Sequence, residues 1–225
     1  MYTDQLAEIH ASPEQGVIVL AGGGASALSR LLGAPGASGT LLDASVPYSA
    51  AALTNFLGQA PDTSVSGETA RSMAAIAFQR ANALDPDAIG HNFGLSVTAA
   101  LTTNRARRGT DRAYIALHCQ RASYLRSIEY TKAEDLSDTA EPKSLRDQQE
   151  SVLCHEILDL LSHHMGIFFP SMTFDARYQS NTNAVQAPMD WQQVMVKAQD
   201  CNQPLSEPTC LFPGAFNPVH EGQVL

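Results

Sequence analysis

The stretch that decides the fold is VIVLAGGGASALSRLL, residues 17–32. Its apolar, β-branched beginning, Val17–Leu20, predicts a buried strand, and apolar residues at helical spacing over Ala25–Leu32 predict a helix. Between them Gly22–Gly24 allow backbone conformations that a Cβ would forbid. Such a turn can present N–H groups to an anion at a helix N-terminus, form an oxyanion hole beside a nucleophile, or simply connect two elements. Taken by themselves, these residues favour the third role, a turn that only connects the strand to the helix.

Composition excludes several classes of function. The chain has 225 residues, which is enough for one domain of ordinary size with an appendage. Its formal net charge of -9 at pH 7 disfavours general attraction to nucleic acid or to an anionic membrane. The sequence contains neither a membrane-spanning stretch nor a secretion signal pattern. Four cysteines without CxxC or metal-type spacing are typical of reduced thiols in a cytoplasmic protein: Cys119, Cys154, Cys201 and Cys210.

The histidines give no pattern of a metal site. His155, His163 and His164 fall on one predicted helix, with spacings unlike a HExxH pair. His118 falls in a strand beside a cysteine, and His91 in a loop. Solvated or core histidines account for all of these positions. The sequence therefore predicts neither a metal site nor a cofactor.

Predicted helices and strands alternate in the order of a layered α/β domain. Helices are predicted for residues 2–11, 25–32, 50–57, 66–83 and 144–165, and strands for 17–20, 41–46, 94–103, 111–120 and 123–131. Ser66 is suited to cap the fourth helix, and Gly58 to end the third. From Phe169 onward the sequence is polar and rich in turn residues. It predicts a largely irregular extension, with a linker over 169–210 that contains one short helix.

The block from Val17 to Gly58 resembles the CinA C-terminal domain family, whose best-known enzymes are nicotinamide mononucleotide deamidases. That family has a strand and the turn E-S-C-T-G-G, a helix reaching R-L, a P-G-x-S turn, a strand ending in T-Y-S-N-x-x-K and a helix ending in L-G. This chain matches in order at Gly23-Gly24, Arg30-Leu31, Pro35–Ser38, Tyr48-Ser49 and Leu57-Gly58. Three later segments also resemble family motifs: SGETARSMAAIAFQRA, LSVTAAL and SLRDQQESVLCHEILDLL.

The resemblance covers roughly residues 1–166 and rests on several motifs in order. It implies a three-layer α/β/α sandwich of the CinA C-terminal type, which we assign to a domain over residues 1–168. It also implies association of identical chains into a dimer or a larger homo-oligomer.

The residues that carry catalysis in the family are replaced here. The resemblance assigns the nucleophilic serine of E-S-C-T-G-G to the position of Ala21 and the lysine of T-Y-S-N-x-x-K to that of Leu53. Tyr48 and Ser49 are retained, whereas the asparagine position holds Ala50. Alanine cannot form an acyl intermediate. Serine-type hydrolysis of the carboxamide is therefore predicted to be lost.

The residues that remain predict a binding site for a pyridine nucleotide. The candidates for ligand binding are Gly22, Gly23, Gly24, Ser38, Tyr48, Thr98 and Arg105. In this prediction the glycine N–H groups and the hydroxyls line a cleft, and Arg105 or a neighbouring arginine pairs with a phosphate. The alternative is that Tyr48 simply packs against the protein and that the arginines face water.

The last fifteen residues carry a second resemblance. FPGAFNPVHEGQ is similar to the first motif of the nucleotidylyltransferase superfamily, G-x-F-N-P-x-H-x-G-H, which nicotinamide mononucleotide adenylyltransferases use. The residues of this phosphate motif that match are Asn217, His220 and Gly222, while the second histidine is Gln223. Since only two residues follow, 211–225 is predicted to be the truncated start of such a domain.

Three functions are consistent with these resemblances. The first is a catalytically degenerate CinA-like domain that binds a nucleotide or supports a partner domain. The second is an active nicotinamide mononucleotide deamidase with a displaced nucleophile, for which Ser26, Ser49 and Tyr48 are candidates. The third is the N-terminal part of a nicotinamide mononucleotide adenylyltransferase-like enzyme. Ala21 and Leu53 argue against the second, and the sheet missing after 211–225 argues against the third for this chain. The sequence predicts the first.

Overall fold

A computed structural model describes residues 2–88, 90–104, 109–131, 142–174 and 177–188. Within these ranges the chain forms five α-helices and six β-strands, together with a 3₁₀ turn at Ala37–Gly39. In chain order they are α1 Thr3–Ala11, β1 Gln15–Ala21, α2 Ala25–Gly33, β2 Leu41–Ser45, α3 Ala50–Leu57, α4 Gly67–Leu84, β3 Asn92–Ala100, β4 Arg112–Cys119, β5 Ala122–Tyr130, α5 Pro142–Met165 and β6 Tyr178–Gln186.

The described strands form one mixed sheet in the order β2-β1-β3-β4-β5-β6. Strand β1 runs parallel to both β2 and β3, while β4, β5 and β6 each run antiparallel to the preceding strand. The carboxyl ends of β1 and β2 therefore meet at one end of the sheet, where α2 and α3 begin. In open α/β sheets, ligands bind in crevices outside these carboxyl ends.

Helices cover both faces of the sheet. Val17 and Val19 of β1 pack in an apolar cluster with α3 and α4, whereas Ile18 packs in a second cluster with α1, α2 and α5. Because β1 is covered on both faces, it is a continuous apolar run rather than an alternating one. The arrangement confirms the predicted three-layer α/β/α sandwich.

Helix α4 lies very close to the sheet. Its inner face consists of small buried residues: Ala70, Ala74, Ala77 and Ala81. A Cβ at Gly94 of β3 would lie 2.2 Å from the carbonyl oxygen of Ala74, so only glycine permits this approach. The hydroxyl of Ser66 accepts the N–H of Thr69 at 3.1 Å, which confirms the predicted N-cap.

Helix α5 packs across the sheet and reaches both of its ends. Its apolar residues are fully buried, as the amphipathic pattern predicts: Val152, Leu153, Ile157, Leu160 and Leu161. The first turns of α5 contact the glycine turn after β1, through Glu150. Its last turn brings His164 to Glu14, just before β1 begins. None of the helices in the described ranges is long and apolar enough to span a membrane.

The structure differs from the prediction of a linker after Phe169. Tyr178–Gln186 forms β6, which pairs with β5 along its whole length. The side chains of β6 are mostly exposed, so the strand lacks the apolar alternation that identifies strands in a sequence. Backbone hydrogen bonds to β5 hold it in the sheet. The short helix predicted before residue 210 lies outside the described residues.

Candidate functional site

The glycine turn connects the carboxyl end of β1 to α2. Gly22 and Gly24 have φ angles of +88° and +91°, a region that favours glycine. A Cβ at Gly22 would also lie 2.0 Å from the carbonyl oxygen of Ala99 in β3. The turn therefore packs directly against the end of β3, and both its conformation and this contact require glycine.

The carboxylate of Glu150, from α5, binds the N-terminus of α2. Both of its oxygens accept the N–H of Gly24 at 3.0 Å. Oε1 also accepts the N–H of Ser26 at 3.1 Å and the hydroxyl of Ser26 at 2.9 Å. A negative charge at this position is stabilised by the unpaired N–H groups of the first turn and by the helix dipole. The anion at the glycine turn is thus a carboxylate of the same chain.

Arg146 and Gln149 connect the start of α5 to the same region. The guanidinium of Arg146 donates to the carbonyl oxygens of Gly22, at 3.3 Å, and of Thr102, at 3.1 Å. Gln149 accepts the N–H of Thr102 at 2.7 Å and donates to the carboxylate of Asp111 at 3.0 Å. These bonds hold the glycine turn, the segment after β3 and α5 together as one unit.

Two further ionisable groups, Tyr130 at the end of β5 and Cys154 in α5, have pKa values raised by burial and are protonated near neutral pH. Burial, reinforced by nearby carboxylates that include Glu150, raises the pKa of Tyr130 well above its usual range. Its hydroxyl donates to the carbonyl oxygen of Gln149 at 3.1 Å. Burial also raises the pKa of the Cys154 thiol. Neither group is suited to act as a base or nucleophile at this site.

A cavity of about 390 Å³ lies beside the glycine turn, at the carboxyl ends of β1 and β2. The backbone of the glycine turn lines it together with charged and aromatic side chains: Gly22, Gly23, Tyr48, Arg146, Asp147 and Glu150. The side chain of Tyr48 is open to solvent, since the residue is 72% exposed. The lining combines one cation, two carboxylates and one accessible aromatic ring, so it can bind a ligand with a flat ring and mixed charge.

The two positions that the resemblance associates with catalysis lie in one apolar cluster. Leu53 of α3 is buried in this cluster with Val17, Val19 and Met73, and Ala21 packs against it. At both positions the structure therefore has a hydrocarbon side chain in apolar surroundings. Neither the alanine nor the leucine side chain has a polar group that could take part in a reaction.

The structure does not bring all of the predicted site residues together. The hydroxyl of Ser49 accepts the N–H of Ala52 at 3.1 Å and so caps α3. Thr98 is buried and donates to the carbonyl oxygen of Ser64 at 2.6 Å. Ser38 is exposed in the 3₁₀ turn before β2, at the opposite end of that strand from the cavity.

Of the residues predicted to bind a ligand, Gly22, Gly23 and Tyr48 line the cavity. Gly24 directs its N–H to Glu150. The predicted phosphate partner Arg105 lies outside the described residues, as do Asn217, His220 and Gly222 of the C-terminal motif.

Arg146 and Glu150 are the site residues that the sequence prediction missed. They lie four residues apart on α5, which places them on the same face of the helix. In the sequence, the only indication of a site at this place is that two charged residues four positions apart precede the buried apolar residues of α5. Its partners, the glycine N–H and carbonyl groups, are backbone atoms that any sequence supplies.

No protein-family model matches the chain, and no curated protein matches it in sequence. Several solved structures are similar to it. Competence/damage inducible protein CihA from Agrobacterium tumefaciens is 17% identical, with a TM-score of 0.54 over 72% of this chain and 93% of that one. A competence or damage-inducible protein from Enterobacter asburiae is 16% identical, with a TM-score of 0.51 over 71% of this chain and 96% of that one.

A competence-damaged protein (CinA) superfamily protein from Escherichia coli is 14% identical, with a TM-score of 0.49 over 73% of this chain and 88% of that one. This chain has a CinA-like fold. At these identities the similarity concerns the fold, and the chemistry has to be argued from the residues of the site itself.

Proposed function

We propose that this chain is a CinA-like domain that binds a pyridine nucleotide and does not hydrolyse its carboxamide. The observation that carries the proposal is the apolar packing of Ala21 and Leu53, next to a turn whose cavity still contains an exposed Tyr48 ring. A site that lacks its reactive pair and keeps its lining is suited to binding without turnover.

The hydrogen bonds around Glu150 support the absence of hydrolysis. Serine-type hydrolysis requires an activated nucleophile and free donors for the oxyanion. The donors that an oxyanion would need are not free here, because the N–H groups of Gly24 and Ser26 are bonded to Glu150. The hydroxyl of Ser49 accepts the N–H of Ala52 and caps α3. A carboxylate at this point would also repel the oxyanion of a tetrahedral intermediate.

The cavity suits the flat, positively charged ring of a nicotinamide nucleotide. The exposed Tyr48 provides an aromatic face for stacking and for a cation–π contact. The carboxylates of Asp147 and Glu150 favour a cationic ring, and the guanidinium of Arg146 is suited to pair with a phosphate. A volume of about 390 Å³ is within the range of small-molecule sites.

Isothermal titration calorimetry with nicotinamide mononucleotide tests the proposal. We expect saturable binding, and weaker binding of nicotinamide riboside, which lacks the phosphate. Tyr48→Ala removes the ring and Tyr48→Phe keeps it. Ring stacking predicts that binding weakens about fivefold in the first variant and by less than about twofold in the second. If the wild-type chain gives no heat and no thermal shift with the nucleotide, binding is refuted, and support of a partner domain becomes the better hypothesis.

A further inference from the structure

A second cavity, of about 370 Å³, lies among the helices on the α5 side of the sheet. Residues of α2 and α5 line it, together with Tyr2 just before α1 and residues 172–174 after α5. Of the residues that line this cavity and the one at the glycine turn, Ser26 and Glu150 are common to both. The two cavities are therefore neighbouring but distinct. We call the second one the Arg30 cavity, after the cation in its wall.

Arg30 is exposed in the last turn of α2 and has no acidic partner in the described part of the chain. Its guanidinium carbon lies 5.3 Å from the centroid of the Tyr2 ring, a cation–π contact. None of the ion pairs between described residues involves it. Stacking on Tyr2 occupies a face of the guanidinium, whereas its N–H donors lie in the guanidinium plane. The cation is therefore suited to pair with an anionic ligand.

The other charged group of the Arg30 cavity, the carboxylate of Glu150, is already compensated. Its oxygens accept the N–H of Gly24 and the hydroxyl of Ser26, so its charge is held at the N-terminus of α2. Arg30 comes four residues after Ser26, which corresponds to roughly 6 Å along the helix. The uncompensated charge of the cavity is thus positive and lies at the Arg30 end.

The ring of Tyr2 forms a fixed aromatic wall below Arg30. Tyr2 is buried, and its ring stacks on that of Phe169 with 5.2 Å between centroids and 17° between planes. Its hydroxyl donates to Sδ of Met172 at 3.1 Å and lies 3.2 Å from Nδ1 of His155. These contacts hold the ring in one orientation before any ligand arrives.

The segment after α5 supplies a second aromatic ring, that of Phe174. Its centroid lies 5.3 Å from that of His155 and 6.2 Å from that of Tyr178. Met172 and Phe174 are partly buried and pack against the core. Because both rings are held by the protein, a ligand that enters between them does not have to order them, which favours binding.

The size and lining of the cavity indicate the kind of ligand. A dry cavity of about 150 Å³ holds a benzene ring, so about 370 Å³ accommodates a ring together with a short acidic substituent. The apolar surface of Tyr2, Met172 and Phe174 suits the ring. The single unpaired cation suits one negative charge.

We propose that the Arg30 cavity is a second binding site, which takes small aromatic carboxylates. The carboxylate pairs with the N–H groups of Arg30, and the ring lies against Tyr2 and Phe174. A neutral amide of the same shape would lose the charge pair, and an aliphatic acid would lose the contact with the rings. The inference uses none of the residues that distinguish the glycine-turn cavity, so it does not depend on nucleotide binding there.

Isothermal titration calorimetry of the full-length chain with three probes tests the ligand class. Phenylacetate has both the ring and the charge, phenylacetamide has only the ring, and acetate has only the charge. We expect saturable binding of phenylacetate with a Kd of about 1 mM or tighter. Phenylacetamide and acetate should each bind at least about tenfold more weakly, because each lacks one of the two interactions.

Variants of Arg30 and Phe174 separate the two interactions. Arg30→Gln should weaken the binding of phenylacetate about tenfold and that of phenylacetamide less than about twofold. Phe174→Leu keeps an apolar side chain and removes the ring, so it should weaken both probes by a similar factor, about threefold. Arg71→Gln is the matched control, because this arginine belongs to α4 on the opposite face of the sheet. It should leave both affinities unchanged.

Tyr48→Ala shows which cavity the probe occupies. We expect it to leave the binding of phenylacetate unchanged, just as Arg30→Gln should leave the binding of nicotinamide mononucleotide unchanged. The proposal is overturned if the wild type does not bind phenylacetate at concentrations up to about 10 mM, or binds phenylacetamide equally well. It is also overturned if Arg30→Gln binds phenylacetate as the wild type does, or if Tyr48→Ala abolishes that binding. A failure of the nucleotide to bind would leave the result with phenylacetate intact, so the two proposals fail separately.

Discussion

Replacement of Glu150 tests whether its carboxylate is the group that stabilises the N-terminus of α2. The carboxylate accepts three donors: the N–H of Gly24, the N–H of Ser26 and the hydroxyl of Ser26. Hydrogen bonds to a charged group contribute roughly 1.5–3 kcal/mol each when they are removed singly. In the variant, water from the adjoining cavity can form some of the hydrogen bonds that the carboxylate formed. We therefore expect Glu150→Ala to lower the free energy of unfolding by about 3 kcal/mol.

The size of the effect can be measured by thermal and chemical denaturation. In a chain of this length, 1 kcal/mol corresponds to roughly 2–4 °C in Tm, so Glu150→Ala should melt about 6–12 °C below the wild type. Glu150→Gln keeps an acceptor oxygen and loses the charge, so its loss should be about half as large. Asp147→Ala is the matched control, because this carboxylate lies on the same helix and is exposed. It should change the free energy of unfolding by less than about 0.5 kcal/mol.

The same variant gives a second readout, because removal of Glu150 leaves an unoccupied anion site. Inorganic phosphate should then bind the free N–H groups of Gly24 and Ser26. At ten times its Kd, phosphate would stabilise Glu150→Ala by about 1.4 kcal/mol, and it should not stabilise the wild type at this site. The reasoning is refuted if Glu150→Ala is as stable as Asp147→Ala, or if phosphate shifts the wild type and Glu150→Ala equally.

Three further predictions concern stability. Gly22→Ala places a Cβ 2.0 Å from a carbonyl oxygen at a φ of +88°, so it should lose more than about 3 kcal/mol in urea unfolding, whereas Gly33→Ala, with open space around it, should be neutral or stabilising. The double variant Ala21→Ser with Leu53→Lys should release no ammonia from nicotinamide mononucleotide, and its free energy of unfolding should fall by about 3 kcal/mol because the lysine enters an apolar cluster. Leu53→Met should lower the free energy of unfolding by less than about 1.5 kcal/mol in the same denaturation assay. The raised pKa of His164 means that this residue stabilises the folded state fully below about pH 6.5 and that the stabilisation is lost as the pH rises through about 9. The lowered pKa of Glu14 means that its stabilisation of the folded state is present above pH 4.5 and is lost as the pH falls through its folded pKa. From these two groups Tm should therefore be highest between about pH 4.5 and 6.5, and His164→Gln should flatten the alkaline limb.

Local patterns were sufficient to predict most of the fold. Apolar runs identified β1 and β3, helical spacing identified α5, and Ser66 and Gly58 marked the ends of helices where the structure has them. Strand β6 was missed because its side chains are exposed and polar, so backbone pairing to β5 leaves no trace in its sequence. The order of the strands likewise depends on contacts between distant residues.

The candidate site was predictable only in part. The glycine turn and Tyr48 were identified from the sequence, and the structure places both at one cavity. The partner of the turn was not identified, because Glu150 comes more than a hundred residues later and reaches Gly24 only through the packing of α5. The contact between Glu14 and His164 is also long-range. Isolated histidines in a sequence are usually core or solvated residues, so nothing local distinguishes His164.

The central claim is that the glycine turn holds a carboxylate of the protein itself beside an apolar Ala21–Leu53 pair, and so does not catalyse hydrolysis. The most direct measurement is ammonia release from nicotinamide mononucleotide by the purified chain, next to an active deamidase of the CinA family. The account predicts no release above the rate without enzyme. Release near the rate of the active deamidase would contradict it, and Ser26, Ser49 and Tyr48 would then be the first residues to replace.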